Sequence, residues 1–436
     1  ENSDRESPSE INGDDTMKLT WVIKKIHEKG LSGTWKAFTY RLVMLPEKAL
    51  ISWYQKRYPI QQNLILLESD GDLMDNGYAL FDYMNQNGYL KKYHVVWMVT
   101  DVDKTARHKF PNTEYLPKLP GGIDLNWAKI VATCHWSIFD HNNVMSWFEK
   151  REGQKVTYLT HGVGYKTTKA NENKQSDMKS RADFITVPGE IGRYCQANFT
   201  GEPIEKTTIT GFPRNDYFFH KNIQIQRKIQ KCWQFQQYDK VVLWMPTFKQ
   251  SNQAILSENY IHNETGLSLF KRMEDLENFS AFLKKQNVLL VLKLHPYQAE
   301  LPVFQRQYDN ILVLRNKDLE AQDLQLYQVI PYSDALITDY SSVATDYLLL
   351  DKPIIFTLDD YEEYIASRGE FYPKNAKDYM KGYHVYNIEN LEKALRDIAA
   401  GKDIYKVERK KILPEYHTYR DGNSARRVLE TLGIKL

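Results

Sequence analysis

Ile337–Asp346 reads ITDYSSVATD. An apolar run ends in Thr338, Asp339 and Tyr340, two serines follow, and the residues from Val343 carry the pattern of a helix. A strand handing over to a helix is half of a βαβ unit, so this stretch predicts a parallel sheet buried on both faces. It also sets two hydroxyls where the first amides of a helix lack intrahelical partners. The residues leave two readings open. Ser341 or Ser342 caps the helix, or the pair holds a phosphate at a helix start.

The same rhythm runs outward in both directions. LILLES, HVVWMVTD, KIVATCHWSIFD, KVTYLTHG, ADFITVPG and KTTITG are short apolar runs that end in polar residues or glycine. GFPRNDYFF, Gly211 to Phe219, interrupts the series, and a Lys- and Gln-rich helical stretch follows. The rhythm resumes with KVVLWMPT, NVLLVLKLHP, NILVLR, DALITDYSS and KPIIFT. NGYALFDYMNQNG, LSLFKRMEDLENFSAFLKKQ, SVATDYLLL, NIENLEKALRDIAAG and NSARRVLETL read as helices. The expected fold is α/β: two Rossmann-like, doubly wound domains facing a central cleft, at residues 61–220 and 221–410, with a C-terminal helix over 411–436. Doubly wound sheets bind ligands beyond the carboxyl ends of their strands.

Composition agrees. The 436 residues are 42% hydrophobic and 26% charged, as in a globular chain, and the net charge of +2 gives no reason to expect nucleic acid. Cys134, Cys195 and Cys232 are too far apart for a metal knuckle or a disulfide framework. No apolar run approaches the roughly 20 residues that span a bilayer. Residues 1–16 are polar and acidic, a disordered leader by composition, and Met17 reads as a native start. Residues 17–60 form a basic helical segment. Lys18, Lys24, Lys25, Lys29, Lys36, Arg41, Lys48, Lys56 and Arg57 are interleaved there with Trp21, Trp35, Phe38 and leucines. Such a mixture suits an anionic membrane surface. It also suits helices packed on the protein's own core.

The chemistry concentrates at strand ends. His161 and Gly162 close YLTHG, Arg214 follows Gly211, and Thr247 closes WMPT. His295 follows LLVLKL with Lys293 on the same strand face, and Asp339, Ser341 and Ser342 close the opening stretch. His161 precedes a glycine, which lets the chain turn and expose an imidazole suited to general-base work. Arg368, after DDYEEY, is an anion-binding fork or the partner of Glu362, Glu363 or Glu370. Asp75 and Asn76 precede a helical stretch and read as candidates for its cap.

In this order THGVGYK, GFPRND, WMPTF, LKLHPY, ITDYSSVATDYLLLDKPIIF, DDYEEY with RGEFYP, and DGNSARR closely resemble the CDP-glycerol glycerophosphotransferase family. These are the teichoic acid primases and polymerases and their capsule relatives. LLESDGDLMDNGYALFDYM resembles the family's amino-terminal segment, and the resemblance covers roughly residues 63–432. It implies a GT-B-type fold. It implies transfer of glycerol phosphate or ribitol phosphate from a CDP-activated polyol donor to a hydroxyl of a lipid-linked or saccharide acceptor, releasing CMP. It implies work at the cytoplasmic face of a bacterial membrane, with no cofactor and no protein-held catalytic metal. Carried over, His161 is the base and His295 serves the donor pyrophosphate or the leaving group. Gly162, Arg214, Thr247, Lys293, Asp339, Ser341, Ser342 and Arg368 line the donor phosphate site. Asp75 and Asn76 lie on the acceptor side.

There are two departures: DNG stands where the family often has DNP, and THGVGYK where many members have WHGTPLK, the latter beside the expected base on the acceptor side. Two rivals remain. A GT-B nucleotide-sugar glycosyltransferase would share the cleft, with Glu362 and Glu363 holding a sugar. A membrane scaffold would use the basic start and the Tyr-rich surface but has no need of both histidines and both serines.

Overall fold

The computed structural model describes residues 45–141, 143–165, 181–248, 263–267, 269–368 and 371–436. The expectations for residues 1–16 and for 17–44 lie outside the described residues. The first sheet has seven parallel strands: Gln61–Glu68 (β1), His94–Val99 (β2), Thr113–Pro117 (β3), Cys134–Phe139 (β4), Lys155–Tyr158 (β5), Phe184–Val187 (β6) and Thr207–Ile209 (β7). Their order is β3-β2-β1-β4-β5-β6-β7. The second has six: Lys240–Met245 (β8), Val288–Leu292 (β9), Ile311–Val313 (β10), Ala335–Thr338 (β11), Ile354–Thr357 (β12) and Tyr383–Val385 (β13), ordered β10-β9-β8-β11-β12-β13. Each is a doubly wound sheet, and apolar clusters cover both faces of each, which is why the strands read as continuous apolar runs. Strand order reverses between β1 and β4 and between β8 and β11. At such switch points adjacent connections leave to opposite faces and open a crevice beyond the strand ends.

Several elements differ from expectation. KIVATCHWSIFD is not one strand. Leu125–Thr133 is helical, and β4 begins at Cys134 with no intervening turn residue to mark the change. LSLFKRMEDLENFSAFLKKQ is helical only over Met273–Lys285, because the Asp275 carboxylate accepts the amides of Lys271 and Arg272 and stops the helix there. Leu267, Leu269 and Phe270 go into the core instead. The edge strands β3 and β13 were not anticipated, being short and partly polar.

The chain crosses back at its end. The helix Lys406–Tyr416 runs through the expected boundary at 410/411 and packs on the first-half helix Glu190–Thr200. The helix Ser424–Leu432 then buries Ala425, Val428, Leu429 and Leu432 against the first sheet. Asp216 starts that helix: its carboxylate accepts the amides of Ser424 and Ala425 at 2.9 and 2.8 Å. At the other end, residues 45–57 are helical. Ile51 and Tyr54 join the first-half core, while Leu45 and Trp53 stay exposed.

Candidate active site

His161 leaves the end of β5 beside Tyr158, whose hydroxyl lies 3.0 Å from the imidazole Nδ1. Tyr158 is buried, and desolvation raises its pKa well above that of a free phenol, so it stays protonated. Gly162 follows at φ 134, and a Cβ there would lie 2.5 Å from Ser342 Oγ. A Cβ on Gly164 would meet the Ser342 backbone at 3.0 Å. The two glycines therefore bring the His161 turn of the first half directly against the serine pair of the second. No larger residue fits that approach.

Ser341 and Ser342 are half-buried behind β11. Ser342 occupies the cap position of the short helix Val343–Tyr347, but no side-chain cap bond forms, so simple capping does not account for it. Behind them Tyr340 is buried among Tyr364 and Phe371, and its hydroxyl donates to Asp360 at 2.9 Å. That packing fixes where the serines begin.

The remaining second-half residues come from β8 and β9. Thr247 is tied to Asp339, its amide at 2.9 Å and its hydroxyl at 2.6 Å from the carboxylate. Asp339 is buried. It was expected to contact phosphate; its carboxylate accepts bonds, as a phosphate does, and it fixes the Thr247 loop instead. His295 stacks on Phe248 with ring centroids 4.2 Å apart, and its Nδ1 accepts the Tyr297 amide at 3.4 Å. Partial desolvation and the neighbouring Lys293 charge lower its pKa, which keeps the ring neutral at pH 7. Burial also brings the Lys293 ammonium down to about 8.

Arg214 departs most from expectation. It is buried, and it pairs with Asp75 at 2.7 Å and Asp346 at 2.8 Å. Burial opposes its charge, but Asp75, Tyr327 and Asp346 outweigh that and hold it firmly protonated. Asp346 also accepts Asn215 at 2.9 Å and Tyr327 at 2.6 Å. An arginine so committed is an internal brace between the halves, not an open phosphate fork. Asp75 and Asn76 are not caps either. Met74 holds that position, Asp75 pairs with Arg214, and Asn76 is buried. Arg368 ends the helix Tyr361–Arg368, and its side chain lies outside the described residues.

Sequence reasoning missed a second group at the β1/β4 switch point. Asp140 is buried and accepts the amides of Asp70 and Gly77 at 3.1 and 2.9 Å. Desolvation and Asp75 push its pKa well up. His141 lies 3.7 Å from Asp70, and its ring is edge-on to His161 at 5.3 Å. The Asp70 charge also acts on His295. The signal that could have found them is that Asp140 closes the apolar run KIVATCHWSIFD, with His141 next to it. Among the described residues no group of three or more His, Cys, Asp or Glu is arranged to hold a metal ion.

Over residues 50–433 the chain matches the family model of CDP-glycerol:poly(glycerophosphate) glycerophosphotransferase. The chain belongs to that family. Its chemistry is phosphopolyol transfer from a CDP-activated donor in teichoic acid synthesis. Curated relatives include the teichoic acid ribitol-phosphate polymerase TarK of Staphylococcus aureus (strain NCTC 8325 / PS 47), 24% identical over 98% of this chain and 77% of the relative. The teichoic acid glycerol-phosphate primase of Bacillus subtilis (strain 168) is 24% identical over 81% of this chain and 88% of its own length. A solved structure of the wall teichoic acid polymerase TagF superposes with a TM-score of 0.72, covering 96% of this chain and 98% of that one. At 18% identity that likeness establishes the GT-B-like fold.

Proposed function

We propose that the chain transfers glycerol phosphate or ribitol phosphate to a hydroxyl of a lipid-linked or saccharide acceptor, with His161 as the base. The acceptor oxygen attacks the phosphorus that carries the polyol. The bond from that phosphorus to the bridging oxygen of CDP breaks, and CMP leaves with the electron pair. His161 Nε2 takes the acceptor proton. For that, Nδ1 carries the ring's other proton and donates it to the Tyr158 oxygen, which a protonated phenol can accept. Phosphoryl transfer needs alignment and charge stabilisation more than covalent help. Ser341, Ser342 and the Lys293 ammonium meet the phosphate charge, and neutral His295 contacts the leaving phosphate. No protein-held metal enters this scheme.

The observation that carries the reading is the contact of Gly162 and Gly164 with Ser342. It brings the His161 turn of the first half against Ser342 of the second. The test is product release from CDP-glycerol, CDP-ribitol, UDP-glucose and UDP-N-acetylglucosamine, each with and without acceptor, in EDTA. CMP from one CDP-polyol supports the reading and names the donor. UDP release would replace it with the glycosyltransferase reading.

We also propose peripheral docking on the cytoplasmic face of a bacterial membrane. Among the described residues no helix is long and apolar enough to cross a membrane. Residues 45–57 expose Leu45 and Trp53, with the Arg57 guanidinium 5.0 Å from the Trp53 ring. Exposed apolar groups beside cations suit an anionic surface. Unchanged binding to anionic liposomes after Trp53→Ala and Arg57→Ala would count against this surface.

A further inference from the structure

The turn that presents His161 is strained and held on every side. Thr160 sits at φ 57 and Gly162 at φ 134. A β-branched residue in the left-handed region costs on the order of 1–3 kcal/mol and persists only where its surroundings over-determine it. Here they do so through four consecutive carbonyls. Asn76 Nδ2 donates to Thr160 O at 2.9 Å, and Arg214 Nη1 to His161 O at 3.1 Å. Gln196 Nε2 donates to Gly162 O at 3.0 Å, and the Thr345 hydroxyl is shared between Val163 O at 2.5 Å and Ser342 O at 2.7 Å.

The four donors come from four separate elements, and Asn76, Arg214 and Thr345 are linked to one another. The Asn76 Oδ1 accepts the Arg214 amide at 3.1 Å. Arg214 pairs with Asp75 and Asp346, the chain neighbours of Asn76 and Thr345. His417 lies 2.9 Å from the Thr345 carbonyl and ties the returning C-terminal segment to the same point. Thr345 belongs to the second half, so one of the four anchors comes from across the cleft.

We infer that Asn76, Arg214, Gln196 and Thr345 are positioning residues that clamp the Thr160–Val163 backbone and so aim His161. Through Thr345 the aim of the base depends on the docking of the second half. This rests on the reading of His161 as base. The clamp need not touch substrate. A base displaced by about 1 Å can lose on the order of a hundredfold in rate. Removing one anchor leaves three, so the fold survives while the strained turn relaxes.

The experiment compares Thr345→Val, Thr345→Ser, Asn76→Ala and His161→Ala in the full chain. It reads acceptor-dependent CMP release from CDP-glycerol and CDP-ribitol, together with thermal unfolding. Thr345→Val keeps shape and loses the hydroxyl, whereas Thr345→Ser keeps the hydroxyl. We expect Thr345→Val and Asn76→Ala to lower kcat by about tenfold or more, with the donor KM within about threefold of wild type. Thr345→Ser stays close to wild type. The clamp is overturned if Thr345→Val keeps kcat within about twofold of wild type, or if its loss lies in donor KM alone. It is equally overturned if Thr345→Ser is as impaired as Thr345→Val. If Asn76→Ala does not fold, the Thr345 pair decides. Activity retained in His161→Ala would remove the base reading itself. An inactive His161→Ala beside an unaffected Thr345→Val would remove only the clamp.

Discussion

Each half carries a histidine just beyond a parallel strand, His161 after β5 and His295 after β9, and the two stand in different settings. His161 stands in a turn whose four carbonyls are held by Asn76, Arg214, Gln196 and Thr345. His295 is exposed, stacked on Phe248, and accepts one long bond from the Tyr297 amide. The first setting spends buried charge and backbone strain on orientation. The second leaves a ring free to follow a ligand. Proton abstraction needs the former, because rate falls steeply with misplacement. A contact to a leaving phosphate tolerates the latter.

The comparison breaks first at Arg214. Arg214→Met removes the cation from the buried Asp346 and the half-buried Asp75, and we expect about 3–5 kcal/mol of lost stability, read by denaturant unfolding. A loss below about 1 kcal/mol, as for a surface pair, would show that the brace matters little. Next is Gly162→Ala. Its Cβ would collide with Ser342 Oγ at 2.5 Å, at a φ that disfavours side chains. We expect kcat/KM to fall by about tenfold or more, while His295→Asn costs less. Equal losses would erase the distinction between the two settings.

The smallest expected effect is a pH limb. Lys293 has its pKa lowered to about 8, so it is a cation below that pH and neutral above it. In kcat/KM for the donor, which reports the free enzyme, affinity should fall as pH rises through about 8. Lys293→Arg should abolish that limb. A limb that persists in the variant belongs to another group.

The same contrast explains what the sequence made legible. Both histidines, Thr247 and the serine pair stand directly after long apolar runs, and a parallel strand advertises its own carboxyl end. The two α/β halves followed from counting such runs, and the GT-B type was what the family resemblance implied. The clamp was not readable. Asn76 and Thr160 are 84 residues apart, and Val163 and Thr345 are 182 apart. Nothing local distinguishes an Asn that holds a distant carbonyl from one that caps a helix. Arg214 and Asp339 misled for the same reason, since their partners are fixed by tertiary packing. Asp140 and His141 also stand after an apolar run, but the partners of Asp140, the amides of Asp70 and Gly77, are 70 and 63 residues away, so the run alone did not show its role.

The most direct measurement is acceptor-dependent CMP release under single-turnover conditions, from CDP-glycerol and from CDP-ribitol, by the wild type and by His161→Ala. Donor binding is followed in parallel. We predict rapid CMP release from one of the two donors, lowered by about 10²–10⁴-fold in the variant with donor binding retained. CMP released by His161→Ala at the wild-type rate would contradict the account, because the clamped histidine would then not be the base.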